Sequence, residues 1–269
     1  MGMTGRAQFP GFWKRAARCF APALIFPVIC GCSALGTYNP ATGQNELIMI
    51  STQEEVAMGQ QAHEQILKEY TLSTDEAMNR RVRSIGRRLA LVSDRQDYTY
   101  QFFVLESKEY NAFTIPGGRI YMFSGLLKDL PSDDAVAAVL GHEIGHCAAR
   151  HTIKKFQAAM GYNLIGSIIL SQVGDNAQSI VRMSTDGLMN LVFSAYGRQD
   201  EYQSDMLGLK YMNAAGYRLE GMIETLELLR DASKGSSVPL ILRTHPYAED
   251  RINAVRTKIV EMRKETIDH

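Results

Sequence analysis

His142-Glu143-Ile144-Gly145-His146 is the stretch on which the fold of this chain turns. On an α-helix successive residues advance by about 100°, so positions four apart lie about 40° apart on one face. His142 and His146 then offer two imidazole nitrogens to a single metal ion. Glu143 stands beside them, able to reach a water on that metal without ligating it. Two ligands and a general base at this spacing make the zinc-hydrolase pattern H-E-x-x-H. The carrying helix is well signalled: Pro131-Ser132 gives an N-cap, Asp133 and Asp134 sit at the positive helix end, and Ala135 to Leu140 is an apolar run that needs burial. The bland alternative is a buried helix with two hydrogen-bonded histidines.

Catalytic zinc usually takes three protein ligands and keeps one position open. One zincin subclass places a third His six residues beyond the second, with a Gly between; Thr152 and Ala149 occupy those positions here, which excludes it. A carboxylate from a later helix is the remaining solution. Glu201 and Asp205, within Gly197 to Asp205, lie four apart on one helical face. Glu201 would bind zinc, and Asp205 would accept a hydrogen bond from the far ring nitrogen of a ligand His. Two solvated acids on an amphipathic helix would give the same pattern.

Several ordered motifs resemble one family. Asn111-Ala112-Phe113 followed by Pro116-Gly117-Gly118 is similar to its N-A-F-x-x-P-G-G segment. His142-Glu143-x-x-His146 comes next, then Arg198-x-x-Glu201-x-x-x-Asp205. Last is Thr244-His245-Pro246, with Arg251-Ile252 after four intervening residues. The chain resembles the zinc metalloproteases that include HtpX, the CAAX prenyl proteases and the periplasmic BepA and LoiP proteins, over roughly residues 37–260. Gly197 and Ser204 stand where the family often has Ser and Ala, both small for small. The resemblance implies an α+β, mostly helical fold of the zincin (gluzincin) type, with a small β-sheet next to the H-E-x-x-H helix. It implies one zinc ion on His142, His146 and Glu201, Glu143 as general base and Asp205 behind a ligand. His245 is placed as a possible fourth or regulatory ligand. The chain stops soon after Thr-His-Pro, so the expected branch is the periplasmic lipoprotein one without a tetratricopeptide tail.

Arg6, Lys14, Arg15 and Arg18 make a basic start without acids, followed by an apolar stretch from Phe20 to Ile29 and then Cys30-Gly31-Cys32-Ser33. This reads as a secretory signal over residues 1–31, too short to span a bilayer. Its end resembles a bacterial lipobox with Cys32 as the lipidated residue, and Ser33 resembles outer-membrane sorting. An ordinary signal peptide or an uncleaved anchor is the alternative, the anchor weakened by Pro22 and Pro27. Residues 32–269 then form a single metallopeptidase domain. Processing at Cys32 leaves Cys147 as the one free thiol, which excludes an intrachain disulfide. Removing residues 1–31 takes four basic residues and no acids from a chain with 29 of each, so the mature form is mildly acidic and has no basic patch for nucleic acid.

Capping and periodicity predict helices from Ser51 to about Tyr70 and from Ser73 to about Val92, each opened by a capping box (Ser51 with Glu54, Ser73 with Glu76). Strands follow at Tyr98 to Leu105 and Arg119 to Phe123. Further helices are predicted at 133–151, 156–172, about 178–195, 198–215, 219–233 and 247–264. Asn111 to Phe123 is the candidate edge against which an extended substrate would pair, or else a structural hairpin. The stretches 156–172 and 186–196 read as core helices, with a lid or membrane contact as the rival. Tyr196, Tyr202, Tyr247 and His245 are candidate oxyanion donors. His63, His151 and His269 are read as chemically idle, His151 because it would point about 180° away from His142 on one continuous helix.

The expectation is a zinc endopeptidase of the Gram-negative periplasm, lipid-anchored to the outer membrane, that cleaves unfolded or misassembled envelope polypeptides beside the outer-membrane assembly machinery. The rivals are a chaperone-like envelope scaffold with a non-catalytic zinc site and a zinc hydrolase of cell-wall peptides. An open zinc position argues against the scaffold, because structural zinc sites are closed.

Overall fold

The helix bearing His142 and His146 is the hub of the fold. The computed structural model describes residues 36–171, 185–234 and 238–267, with backbone alone at 162–171, 185–186 and 266–267. The predicted signal peptide (residues 1–31), the predicted lipobox at Cys32 and His269 lie outside the described residues. The elements run β1 (Thr37–Asn39), β2 (Gln44–Glu46), α1 (Thr52–Glu69), α2 (Glu76–Leu91), β3 (Gln101–Leu105), β4 (Ala112–Ile115), β5 (Arg119–Phe123), α3 (Ser124–Asp129), α4 (Asp133–Ala148), α5 (His151–Ser171), α6 (Thr185–Val192), α7 (Arg198–Ala214), α8 (Glu220–Ala232), α9 (Leu240–Thr244) and α10 (Ala248–Ile267). This is the mostly helical α+β architecture that the sequence predicts.

α4 begins where its cap predicts, with Ser132 Oγ accepting from the Ala135 amide at 3.1 Å and both aspartates in the first turn. Every residue from Ala135 to Ala148 is buried, so the helix has no solvent face. Around it pack α2, α7, α8 and the sheet. The crossing with α7 is unusually close: a Cβ added to Gly145 would lie 2.7 Å from the Ser204 carbonyl oxygen, and one on Gly141 would lie 3.3 Å from the Gly208 Cα. Small residues four apart on each helix thus let the two backbones touch. That contact puts the imidazoles of α4 against the carboxylates of α7.

α4 does not continue to residue 151 as the sequence reading expects. Arg150 takes a left-handed conformation (φ 54°), and the chain restarts as α5 at His151. A non-glycine residue in that region costs energy and persists where its surroundings hold it. Here the Arg150 guanidinium donates to Glu55 Oε2 and Thr52 Oγ1, each at 3.3 Å, and to Asp97 Oδ2 at 3.2 Å.

The three-stranded sheet has the order β3-β5-β4, β5 parallel to β3 and antiparallel to β4. The Gly117-Gly118 turn, both residues at positive φ, joins β4 to the central strand. Of the predicted substrate edge, therefore, only the β4 half is an edge. β3 starts at Gln101 rather than Tyr98, because its partner β5 starts opposite it at Arg119 and the turn before leaves nothing to pair with. Both sheet faces are covered. Phe102, Val104, Ile120 and Met122 join the main core on α4, and Phe113, Tyr121 and Phe123 join a second cluster with α1 and α6. Leu188, Met189 and Val192 of α6 lie in that cluster, so this stretch is core, as predicted.

α1 carries its predicted capping box at Ser51 and Glu54. At α2 the cap is Asp75, not Ser73: its carboxylate accepts from the Ala77 and Met78 amides at 2.8 and 3.0 Å, while Ser73 Oγ accepts from the Asp75 amide. Among the described residues no helix is long and apolar enough to cross a membrane.

Candidate metal centre

Four side chains converge beside α4. His142 Nε2 lies 3.0 Å from His146 Nε2 and 3.1 Å from His245 Nδ1. Glu201 Oε1 stands 3.1 Å from His245 Nδ1 and 3.4 Å from His146 Nε2. One ligand-capable atom from each of the four falls within 4.8 Å of the others, and none of the residues is more than 6 % exposed. His142 and His146 come from successive turns of α4, and Glu201 from the first turn of α7. His245 caps α9, where its amide donates to the Ile241 carbonyl at 2.7 Å. Glu143 faces the same point, its Oε1 3.5 Å from His245 Nε2.

The donor set is suited to a divalent cation. Asp205 Oδ1 lies 2.8 Å from His142 Nδ1. A carboxylate only accepts, so the proton is on Nδ1 and the Nε2 lone pair points into the cluster. Facing that lone pair are a second imidazole nitrogen and the Glu201 carboxylate, the N and O ligands that zinc prefers. Two more buried atoms aimed here, Glu143 Oε2 and His245 Nε2, have no hydrogen-bond partner within the protein.

Charge in this interior is set by Arg251 of α10. Its Nε and Nη2 donate to the two Asp205 oxygens at 2.7 Å each, and Nη1 forms an ion pair with Glu201 Oε2 at 2.6 Å. Burial would raise both carboxyl groups, but Arg251 together with the neighbouring histidines holds Glu201 well below the usual carboxylate range and Asp205 below its own. Burial pushes Glu143 up and His146 down. His245 is drawn up against its burial by Glu201 and Glu143.

The sequence profile of peptidase family M48 matches residues 76–259. The chain belongs to peptidase family M48. Among curated M48-like relatives it is 26 % identical over 231 residues to the "Beta-barrel assembly-enhancing protease" of Escherichia coli (strain K12), covering 83 % of this chain and 47 % of that protein. It is 27 % identical over 238 residues to "Mitochondrial metalloendopeptidase OMA1" of Schizosaccharomyces pombe, covering 86 % and 69 % respectively. With the Saccharomyces cerevisiae protein of that name it shares 33 % over 147 residues, 53 % of this chain and 41 % of the relative. The chain thus spans about half the length of the first of these relatives.

Of the candidate oxyanion donors, His245 stands in the M48 cluster and Tyr196 flanks it, its ring stacked on His146 (3.9 Å between centroids) and its hydroxyl 2.9 Å from Thr152 Oγ1. Tyr247 lies under the Arg198 guanidinium, 39 % exposed, and Tyr202 is half-buried; neither is among the clustered side chains. Cys147 is a buried free thiol 2.8 Å from Thr114 Oγ1, pushed up to about 12 by burial, and is not among the clustered ligands. His63 pairs with the Tyr121 hydroxyl, away from the cluster.

Two residues escaped the sequence reading. Arg251 was visible as part of the last motif, but nothing local told its partners. For His151, local periodicity predicts one unbroken helix and a ring turned away from His142. The break at Arg150 instead returns it to the cluster, buried, with Nδ1 2.9 Å from His146 Nδ1.

Proposed function

We propose that this chain is a zinc-dependent endopeptidase with His142, His146 and Glu201 as metal ligands and Glu143 as general base. The observation that carries the reading is Glu143, buried beside four convergent ligand atoms, with one carboxylate oxygen unpartnered. A zinc ion held by His142, His146 and Glu201 would supply a Lewis acid for the scissile carbonyl and acidify water. Glu143 takes the proton of the attacking water and passes it to the leaving amine. Asp205 keeps His142 in the ligating tautomer, and Arg251 keeps Asp205 and Glu201 ionised. The extended segment at β4 is the candidate to hold substrate main chain; the Asn111 amide at its start is buried with neither atom hydrogen-bonded.

His245 closes the site at rest. It fills the side of the cluster opposite Asp205, and the adjoining cavity, lined by His142, Glu143, His245 and Arg251, measures about 20 Å³, room for one water and not for a peptide. Substrate entry then requires the 239–247 segment to move. Its proposed substrates are misfolded or misassembled cell-envelope polypeptides; the name of one relative, a beta-barrel assembly-enhancing protease, supports a link to β-barrel assembly. Residues 1–32 support export to the periplasm and lipid anchoring at Cys32.

Zinc content and casein cleavage of the full chain and its Glu143→Gln variant test the reading. One zinc in each, with cleavage by the native chain alone, is the expected result. A native chain that holds no zinc sinks it.

A further inference from the structure

Beyond the four convergent ligands, His151 is the buried imidazole that the proposed chemistry leaves without a task. It is 1 % exposed and touches four polar neighbours. Nδ1 is 2.9 Å from His146 Nδ1 and 3.4 Å from Ser204 Oγ. Nε2 is 2.9 Å from Gln203 Oε1 and 3.6 Å from Asp200 Oδ1.

These contacts fix where the protons sit. Around Nε2 are a carboxamide oxygen and a carboxylate, both acceptors, so Nε2 carries the hydrogen of a neutral ring. Nδ1 is then a lone pair, consistent with the Ser204 hydroxyl beside it as a donor. Without a metal, the His142 Nε2 lone pair at 3.0 Å and Glu201 Oε1 at 3.4 Å compete for the His146 hydrogen; with Nε2 turned to a metal, the lone pair 2.9 Å from His146 Nδ1 holds that hydrogen on Nδ1. His146 Nε2 is thereby left free to ligate, and Tyr196, stacked on the ring, holds its plane.

We propose that His151 is the positioning residue for His146, holding it in the Nδ1–H tautomer through the hydrogen-bonded series Gln203 Oε1, His151, His146. This inference rests on the zinc-peptidase reading of the site. The two α4 ligands then reach one tautomer by different means. His142 donates to a carboxylate that an arginine keeps ionised; His146 donates to a neutral imidazole. The second arrangement adds no negative charge behind the metal, whereas Glu201 and Asp205 already bring two. It also depends on the left-handed Arg150, since on a continuous helix His151 would face away from His146.

The test is made on the full chain, purified in detergent. Nitrogen-15 NMR of zinc-loaded protein should show His146 protonated on Nδ1 and His151 on Nε2. His151→Leu fills the volume without an acceptor; it should scramble the His146 tautomer and weaken zinc binding, measured against a competing chelator, by about 10- to 100-fold. His151→Asn returns an acceptor near the Nδ1 position and should recover most of that loss, which a purely structural role would not produce. Should His151→Leu fail to fold, Gln203→Met removes the outer acceptor at a half-buried position and should weaken zinc binding in the same direction, with Gln203→Glu close to native. A zinc-loaded native chain with His146 protonated on Nε2, or a leucine variant with unchanged tautomer and zinc affinity, overturns the proposal. A chain that binds zinc with these tautomers but cleaves nothing refutes the peptidase reading and not this one.

Discussion

Arg251 donates two hydrogen bonds of 2.7 Å to Asp205 across 46 residues of sequence, and both side chains are almost wholly buried. A bidentate guanidinium–carboxylate pair of this kind is strong in a dry interior, and costly to break from one side. Replacing Arg251 with Met leaves Asp205 and Glu201 as neighbouring buried anions. The variant is expected to lose about 3–5 kcal/mol of stability in urea unfolding of the metal-free protein. Zinc should return part of that loss, because it neutralises Glu201. Equal losses with and without zinc would show that Arg251 acts by packing instead.

The α4–α7 contact at Gly145 makes a second prediction. Any Cβ there meets the Ser204 backbone at under 3 Å, and a backbone cannot rotate away as a side chain can. Gly145→Val should force the helices apart, cost about 1–3 kcal/mol and weaken zinc binding, since Glu201 is carried on the displaced helix. Normal zinc affinity in a destabilised variant would separate helix spacing from ligand geometry.

Lys155 gives a stability prediction with a defined pH window. Its ammonium sits 4.0 Å over the Tyr196 ring and donates to the Ser194 carbonyl, and burial pushes it down from 10.5 to about 8. Below pH 8 both folded and unfolded chains carry the charge. Between about 8 and 10.5 only the unfolded chain binds the proton, so this residue makes folding more favourable as pH rises, by no more than about 3 kcal/mol in all. Lys155→Met should remove that upward slope from the metal-free stability profile; an identical slope in the variant would place the amine in solvent.

His245→Ala tests the closed resting state. Removing the imidazole opens the side of the cluster it fills, and casein cleavage should increase. A clean loss of cleavage with zinc retained would make His245 a donor to the reacting carbonyl.

The spacing of His142, Glu143 and His146, the pairing of Glu201 with Asp205 and the caps that start α1 and α4 were legible in the chain, because helix periodicity and capping act over three or four residues. The small residues at 141, 145, 204 and 208 were equally visible, yet their use as a contact depends on which helices cross. Asp75 replaces Ser73 as the cap because its carboxylate reaches the Ala77 and Met78 amides, while Ser73 Oγ is occupied by the Asp75 amide.

What the sequence by itself determined is which side chains are the candidate ligands and base, since a metal site of this kind is specified by residue type at helical spacing. Only the tertiary structure decided what stands behind them. Arg251 lies 109 residues from His142, and its partners follow from where α10 packs. His151 reaches His146 through a left-handed Arg150, stabilised by Thr52, Glu55 and Asp97 from far earlier in the chain. Local propensity continues a helix through such a residue; distant charges, brought in by folding, supply the energy that ends it.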